Sequence, residues 1–124
     1  MNSEHRKDER FDDIGKVEAP NLCVFPGILE DISALGGKIR FPISLDVELN
    51  KDVDLMISPS NGDSTQPIHL IAHAKWFRKE DDFTQIGFKF LRSPGTNMLN
   101  SYIQKLSLLN AEFEEEDQFL CSVM

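Results

Sequence analysis

A chain of 124 residues has room for a single domain with one modest core, and 40% apolar with 27% charged residues is the make-up of a soluble globular protein. Its net charge of −8 argues against DNA or RNA partners, which demand a basic surface. No apolar run is long enough to cross a bilayer, and Met1 to Lys16 hold nothing like a signal peptide, so a cytoplasmic protein without membrane insertion is expected.

In chain order, residues 1–18 are rich in charge and poor in apolar groups, which predicts an exposed N-terminal arm. Leu22 to Leu29 is a first strand, nearly apolar on both faces. Ile39, Phe41 and Ile43 alternate with Lys38, Arg40 and Pro42, the period of a half-buried strand, and Val53, Leu55 and Ile57 repeat that pattern. A turn-rich loop from Ser58 to Pro67 follows. Ile68, Leu70, Ala72, Ala74 and Trp76 then share one strand face, with His69, His73 and Lys75 on the other. Ile86, Phe88 and Phe90 mark a return strand. Short strands with no helices between them predict a mainly β fold, a small antiparallel barrel or sandwich.

A helix closes the domain. Ser93 is its expected cap and Pro94 its first residue, with Met98, Tyr102, Ile103, Leu106 and Leu109 forming an apolar stripe over an open end of the barrel. The domain is thus expected over residues 19–110, followed by an acidic tail over 111–124. Five of the net negative charges belong to that tail, in Glu112, Glu114, Glu115, Glu116 and Asp117, leaving −3 for the rest; a solvated, mobile segment is expected.

Two features carry functional chemistry. Arg6-Lys-Asp-Glu-Arg10 places two guanidinium forks on the arm, suited to phosphate oxygens and to the O6/N7 edge of guanine; alone, it also reads as surface charge paired with Asp8 and Glu9. Asp31-Ile-Ser-Ala-Leu-Gly-Gly37 offers a carboxylate and a hydroxyl on one face of an extended segment. Gly36 and Gly37 are free to take positive φ and to let a ligand approach the backbone; alone, these are equally the residues of a turn.

Other signals carry less. His69 and His73 have metal-ligand spacing on a helix, but on a strand they lie about 13 Å apart, too far for one ion. Cys23 and Cys121 form no CxxC pair and receive no role. No phosphate loop and no nucleophile–base pairing stands in the sequence. No enzyme, no metal site and no cofactor is expected.

Together, Arg-x-x-x-Arg and Asp-x-Ser-x-x-Gly resemble the signature of PilZ domains. Arg10-Phe11, the strand from Gly36-Gly37 to Arg40-Phe41, the strand reaching Trp76 and Ile86-Gly-Phe-Lys-Phe90 extend the likeness over roughly residues 5 to 110. The resemblance implies a six-stranded antiparallel β-barrel with a C-terminal helix, and cyclic di-GMP as ligand. Arg6 and Arg10 would grip it, and Asp31, Ser33 and Gly36 would line the facing surface. Arg40 reads as a surface arginine. A receptor of this kind acts through a downstream protein, as a monomer or weak dimer, and motility is among the processes compatible with the family. The alternative is a ligand-independent adaptor that engages a protein through the helix stripe or acidic tail.

Overall fold

In a computed structural model, residues 10–12, 15–60 and 66–123 are described, with the side chains of the C-terminal helix described as far as residue 109. The strands are β1 (Phe11–Asp12), β2 (Lys16–Ala19), β3 (Cys23–Ile32), β4 (Gly36–Phe41), β5 (Asp52–Ser58), β6 (Ile68–Lys79) and β7 (Thr84–Phe90), followed by α1 (Thr96–Val123). Every pairing is antiparallel. The order β3-β2-β5-β6-β7-β4 closes on itself through β3–β4 into a six-stranded barrel, with β1 added on the edge of β3. Closure leaves no open sheet edge among the six strands.

Alternation explains the core. Leu29, Ile39, Leu55, Ile57, Leu70 and Ile86 point inward and are fully buried. Their outward neighbours are charged or polar in most strands, which is what a barrel filled by its own side chains requires. The two strands of the N-terminal stretch depart from expectation. Val17 and Ala19 are buried between exposed Lys16 and Glu18, so β2 is a barrel strand cut from what reads as arm. Phe11 is buried opposite Ile32 and staples the chain to β3 immediately after Arg10.

Ser93 does not cap the helix. Its hydroxyl accepts from the Ile71 amide at 2.8 Å and donates to the Leu91 carbonyl at 2.5 Å, which ties the approach to α1 onto β6. The helix itself begins two residues past Pro94, at Thr96, with the Leu99 amide bonded to the Gly95 carbonyl. Leu99, Tyr102 and Leu106 are its buried stripe, joined to the barrel core, whereas Met98 and Leu109 are exposed. The backbone continues as helix to Val123, through the acidic stretch set apart above as a tail. No helix among the described residues is long and apolar enough to cross a membrane.

Residues 42–51 form a strap between β4 and β5, with Ile43, Leu45 and Val47 packed on the core. It is fastened by fully buried Thr84, whose Oγ1 accepts from the Leu45 amide at 2.8 Å and donates to the Ile43 carbonyl at 2.9 Å. Lys79 bonds Asp46 at 2.6 Å; that hydrogen bond, and behind it the lysine charge, hold the Asp46 carboxyl below the ordinary carboxylate range. Thr84→Val keeps the shape of the side chain and leaves both backbone groups of the strap without their partner. It should cost about 1–3 kcal/mol in urea unfolding, with the unfolding slope unchanged.

Candidate functional site

The site is built around the turn from β3 to β4. Ser33 is fully buried, and its Oγ accepts from the amides of Leu35 and Gly36, each at 3.2 Å, and donates to the Gly36 carbonyl at 3.3 Å. One hydroxyl thus satisfies the turn that joins two barrel strands. Gly36 serves close approach rather than unusual φ, since no glycine in the described residues has positive φ. A Cβ on Gly36 would run into the carbonyl oxygen of Phe88, so only glycine lets β4 lie against β7 at this point.

Asp31 reaches the surface through an irregularity. Along β3, Leu29 pairs with Ile39 but Asp31 pairs with Lys38, so Glu30 is an extra residue that reverses the alternation. Asp31 is thereby turned outward, where its carboxylate accepts from Arg10 at 2.9 Å and lies 3.8 Å from the Lys38 ammonium. Arg10 is held beside it because Phe11 and Asp12 pair with Ile32 and Asp31.

A surface cavity of about 440 Å³ opens over this group. Arg10, Asp31 and Gly36, three of the residues singled out in the sequence, line it together. Ser33 lies next to it but buried in the turn, and is not among the lining residues. Arg6 lies outside the described residues. The cavity also takes Lys38, Lys75 and Lys89, so four cations face one carboxylate in a chain whose net charge is −8. That local excess suits an anionic ligand.

Trp76 is the residue that sequence reasoning misplaced. Alternation along β6 puts it in the core with Ala74, but it is 46% exposed and lines the cavity. Ala74 pairs with Phe88 and Trp76 with Gly87, which makes Lys75 an extra residue and flips the strand from there on. Nothing in the apolar periodicity announces that bulge. Gly87, lying under a tryptophan with only backbone at its surface, is the one sequence signal that could have found it.

The remaining polar candidates lie elsewhere. Arg40 bonds Glu30 at 3.1 Å and stacks 4.3 Å over the Phe83 ring, and Gln85 bonds the same glutamate at 2.6 Å. His69 and His73 face different aspartates, Asp54 at 3.1 Å and Asp52 at 2.7 Å.

The chain is thus a closed six-stranded antiparallel barrel with a C-terminal helix, carrying a cationic cavity at the β3–β4 turn. The PilZ domain family matches residues 4–106, and the chain belongs to that family, one of receptor and adaptor domains rather than enzymes. Among solved structures, the Bacillus subtilis inhibitor of motility MotI/DgrA is similar, with a TM-score of 0.60 and 15% identity. The likeness covers 80% of this chain and 49% of that one, so the chain spans about half of its length and shares its fold. No curated protein sequence matches the chain.

Ser33→Ala removes the acceptor for two amides in a buried turn. It should lower stability by about 1–3 kcal/mol in urea unfolding, a loss that a purely ligand-facing hydroxyl would not produce.

Proposed function

We propose that the chain is a cyclic di-GMP receptor that passes its signal to a partner protein. The observation that carries this reading is the meeting of Arg10, Asp31 and Gly36 in one cationic cavity of a PilZ domain. Membership supports the ligand class, and the cavity has the chemistry for it.

Cyclic di-GMP presents two phosphates and two guanines. Arg10 donates a forked pair of hydrogen bonds to a phosphate or to the O6/N7 edge of a guanine. Asp31 accepts from the N1–H and N2–H₂ donors of the same kind of base. Gly36 leaves the backbone open to close approach, and Ser33 acts from beneath by holding the turn that presents both. Lys38, Lys75 and Lys89 offset the ligand's negative charge, and the indole of Trp76 offers a face for a purine to stack on. Arg6 adds a second guanidinium from the arm. Ligand bridging the arm and the barrel favours the conformers in which the two are joined, and the altered surface is what a partner reads.

Titration calorimetry with cyclic di-GMP, using GTP as control ligand, tests the reading. Saturable binding to wild type is expected, with Arg10→Ala weakening it at least about tenfold, the loss of a charge-assisted pair. GTP should give no comparable isotherm. Silence from the wild type at high micromolar ligand would sink the proposal.

A further inference from the structure

We propose that Gly87 and Asn50 are positioning residues for the ligand, acting by holding the Trp76 indole on the cavity wall. The inference rests on the reading of this cavity as a purine-nucleotide site. Three observations on three different strands or loops converge on it.

The first is the seat. A Cβ built on Gly87 would overlap Nε1, Cε2 and Cδ1 of Trp76, so the indole lies flat against the glycine backbone. Any other residue there lifts the ring off β7 and into the cavity. The second is the bulge at Lys75, which reverses the side on which Trp76 emerges. The third is what fastens that bulge. Asn50 takes a left-handed conformation, φ 62°, the only non-glycine residue to do so in the described chain. In that conformation its backbone N–H donates to the Ala74 carbonyl at 3.0 Å, and its Oδ1 accepts from Lys75 Nζ at 2.6 Å. One residue of the strap thus grips the backbone before the extra residue and the side chain of the extra residue itself. A strand with one residue too many can relax by slipping, which would return Trp76 to the inward face. Asn50 opposes that slip from the β5 side, while Gly87 receives the ring on the β7 side.

The arrangement also fixes the spacing of the cavity. Lys38 and Trp76 both pair with Gly87 from opposite sides, so the glycine gap lies between an ammonium and an indole face. A base stacked on the indole leaves its phosphate within the ring of lysines. Lifting the indole would fill the gap the base occupies.

Trp76 is the only tryptophan of the chain, so its emission reads the seat directly. Wild type, Gly87→Ala, Trp76→Ala and the double variant are compared by acrylamide quenching without ligand and by cyclic di-GMP calorimetry, each checked for folding by circular dichroism. Gly87→Ala should raise quenching and weaken binding about tenfold, and Trp76→Ala should weaken it by as much. Added to Trp76→Ala, the glycine change should cost less than about twofold, because the ring it displaces is gone. An equal loss in both backgrounds, or unchanged quenching in Gly87→Ala, overturns the proposal for Gly87. Asn50→Gly preserves the backbone conformation and the backbone bond to Ala74, and deletes only the side-chain amide that holds Lys75. A rise in quenching with about threefold weaker binding is expected, and a variant indistinguishable from wild type removes the Asn50 side chain from the mechanism. Absence of binding by the wild type would fell the receptor reading itself, and quenching would still decide whether Gly87 and Asn50 hold the indole.

Discussion

In a closed barrel each residue of a strand has one choice of face, and strict alternation leaves the site's residues on the wrong one. Asp31 is two residues past Leu29, and Trp76 two past Ala74, so regular strands would send a carboxylate and an indole into the core. One extra residue in β3, Glu30, and one in β6, Lys75, reverse both. The cavity exists because two strands on either side of the β4–β7 pair break alternation at the same end of the barrel. Between them lie Gly36 and Gly87, where side chains would close the space. The extra residues are not idle: Glu30 is bonded by Arg40 and Gln85, and Lys75 by Asn50, so each bulge has a partner that holds its register.

The electrostatics follow from that framework. Arg10 and Asp31 are linked at 2.9 Å, but the arginine is half exposed, and an ion pair in such a place contributes about 0–1 kcal/mol. It therefore orients the guanidinium without locking it. A ligand that supplies a phosphate or a guanine edge can share or replace Asp31 at small cost, and the lysines nearby prevent the freed carboxylate from dominating the potential. The strong contacts lie beneath this layer, in the buried hydroxyls of Ser33 and Thr84, each of which bonds two or more backbone groups. Rigidity sits in the turn and the strap, and adaptability in the exposed charges above them.

Much of this was legible in the residues. Apolar patterning located five of the six barrel strands, and the arginine motif with Asp-x-Ser-x-x-Gly singled out Arg10, Asp31 and Gly36, which line one cavity. The strand β2 was missed because four residues with two charges, Lys16 and Glu18, look like arm unless Val17 and Ala19 are known to meet Gly27 and Cys23. Ser33 was expected on the ligand face because alternation was carried past the end of β3, where the chain turns and its hydroxyl is used by backbone. Ser93 illustrates the same limit: it has the chemistry of a helix cap, and a strand amide claims it instead. Bulges and turns depend on partners distant in sequence, and periodicity has no access to them.

The way the arm is attached bears on how binding is felt elsewhere. Strand β1 has only two residue pairs, Phe11 with Ile32 and Asp12 with Asp31, and one buried side chain. Ordering a residue costs about 1–2 kcal/mol, and burial of a phenylalanine offsets that for very few neighbours, so of the seven strands β1 is the one whose attachment is least strongly favoured over detachment. Arg10 immediately precedes it. Contacts from a ligand of the proposed kind to Arg10 would therefore add to the attachment of β1 and shift that balance by as much as they differ between the two states. Strand β6 offers no such balance. It carries Trp76 near one end and the carbonyl of His69, bonded by the Gly95 amide before α1, near the other, but it is paired along its length with β5 and β7. A rigid strand joins the cavity to the helix without giving either a second arrangement. In the proposed receptor the response to ligand would on physical grounds belong to the N-terminal edge of the barrel, with β6 and α1 as the frame.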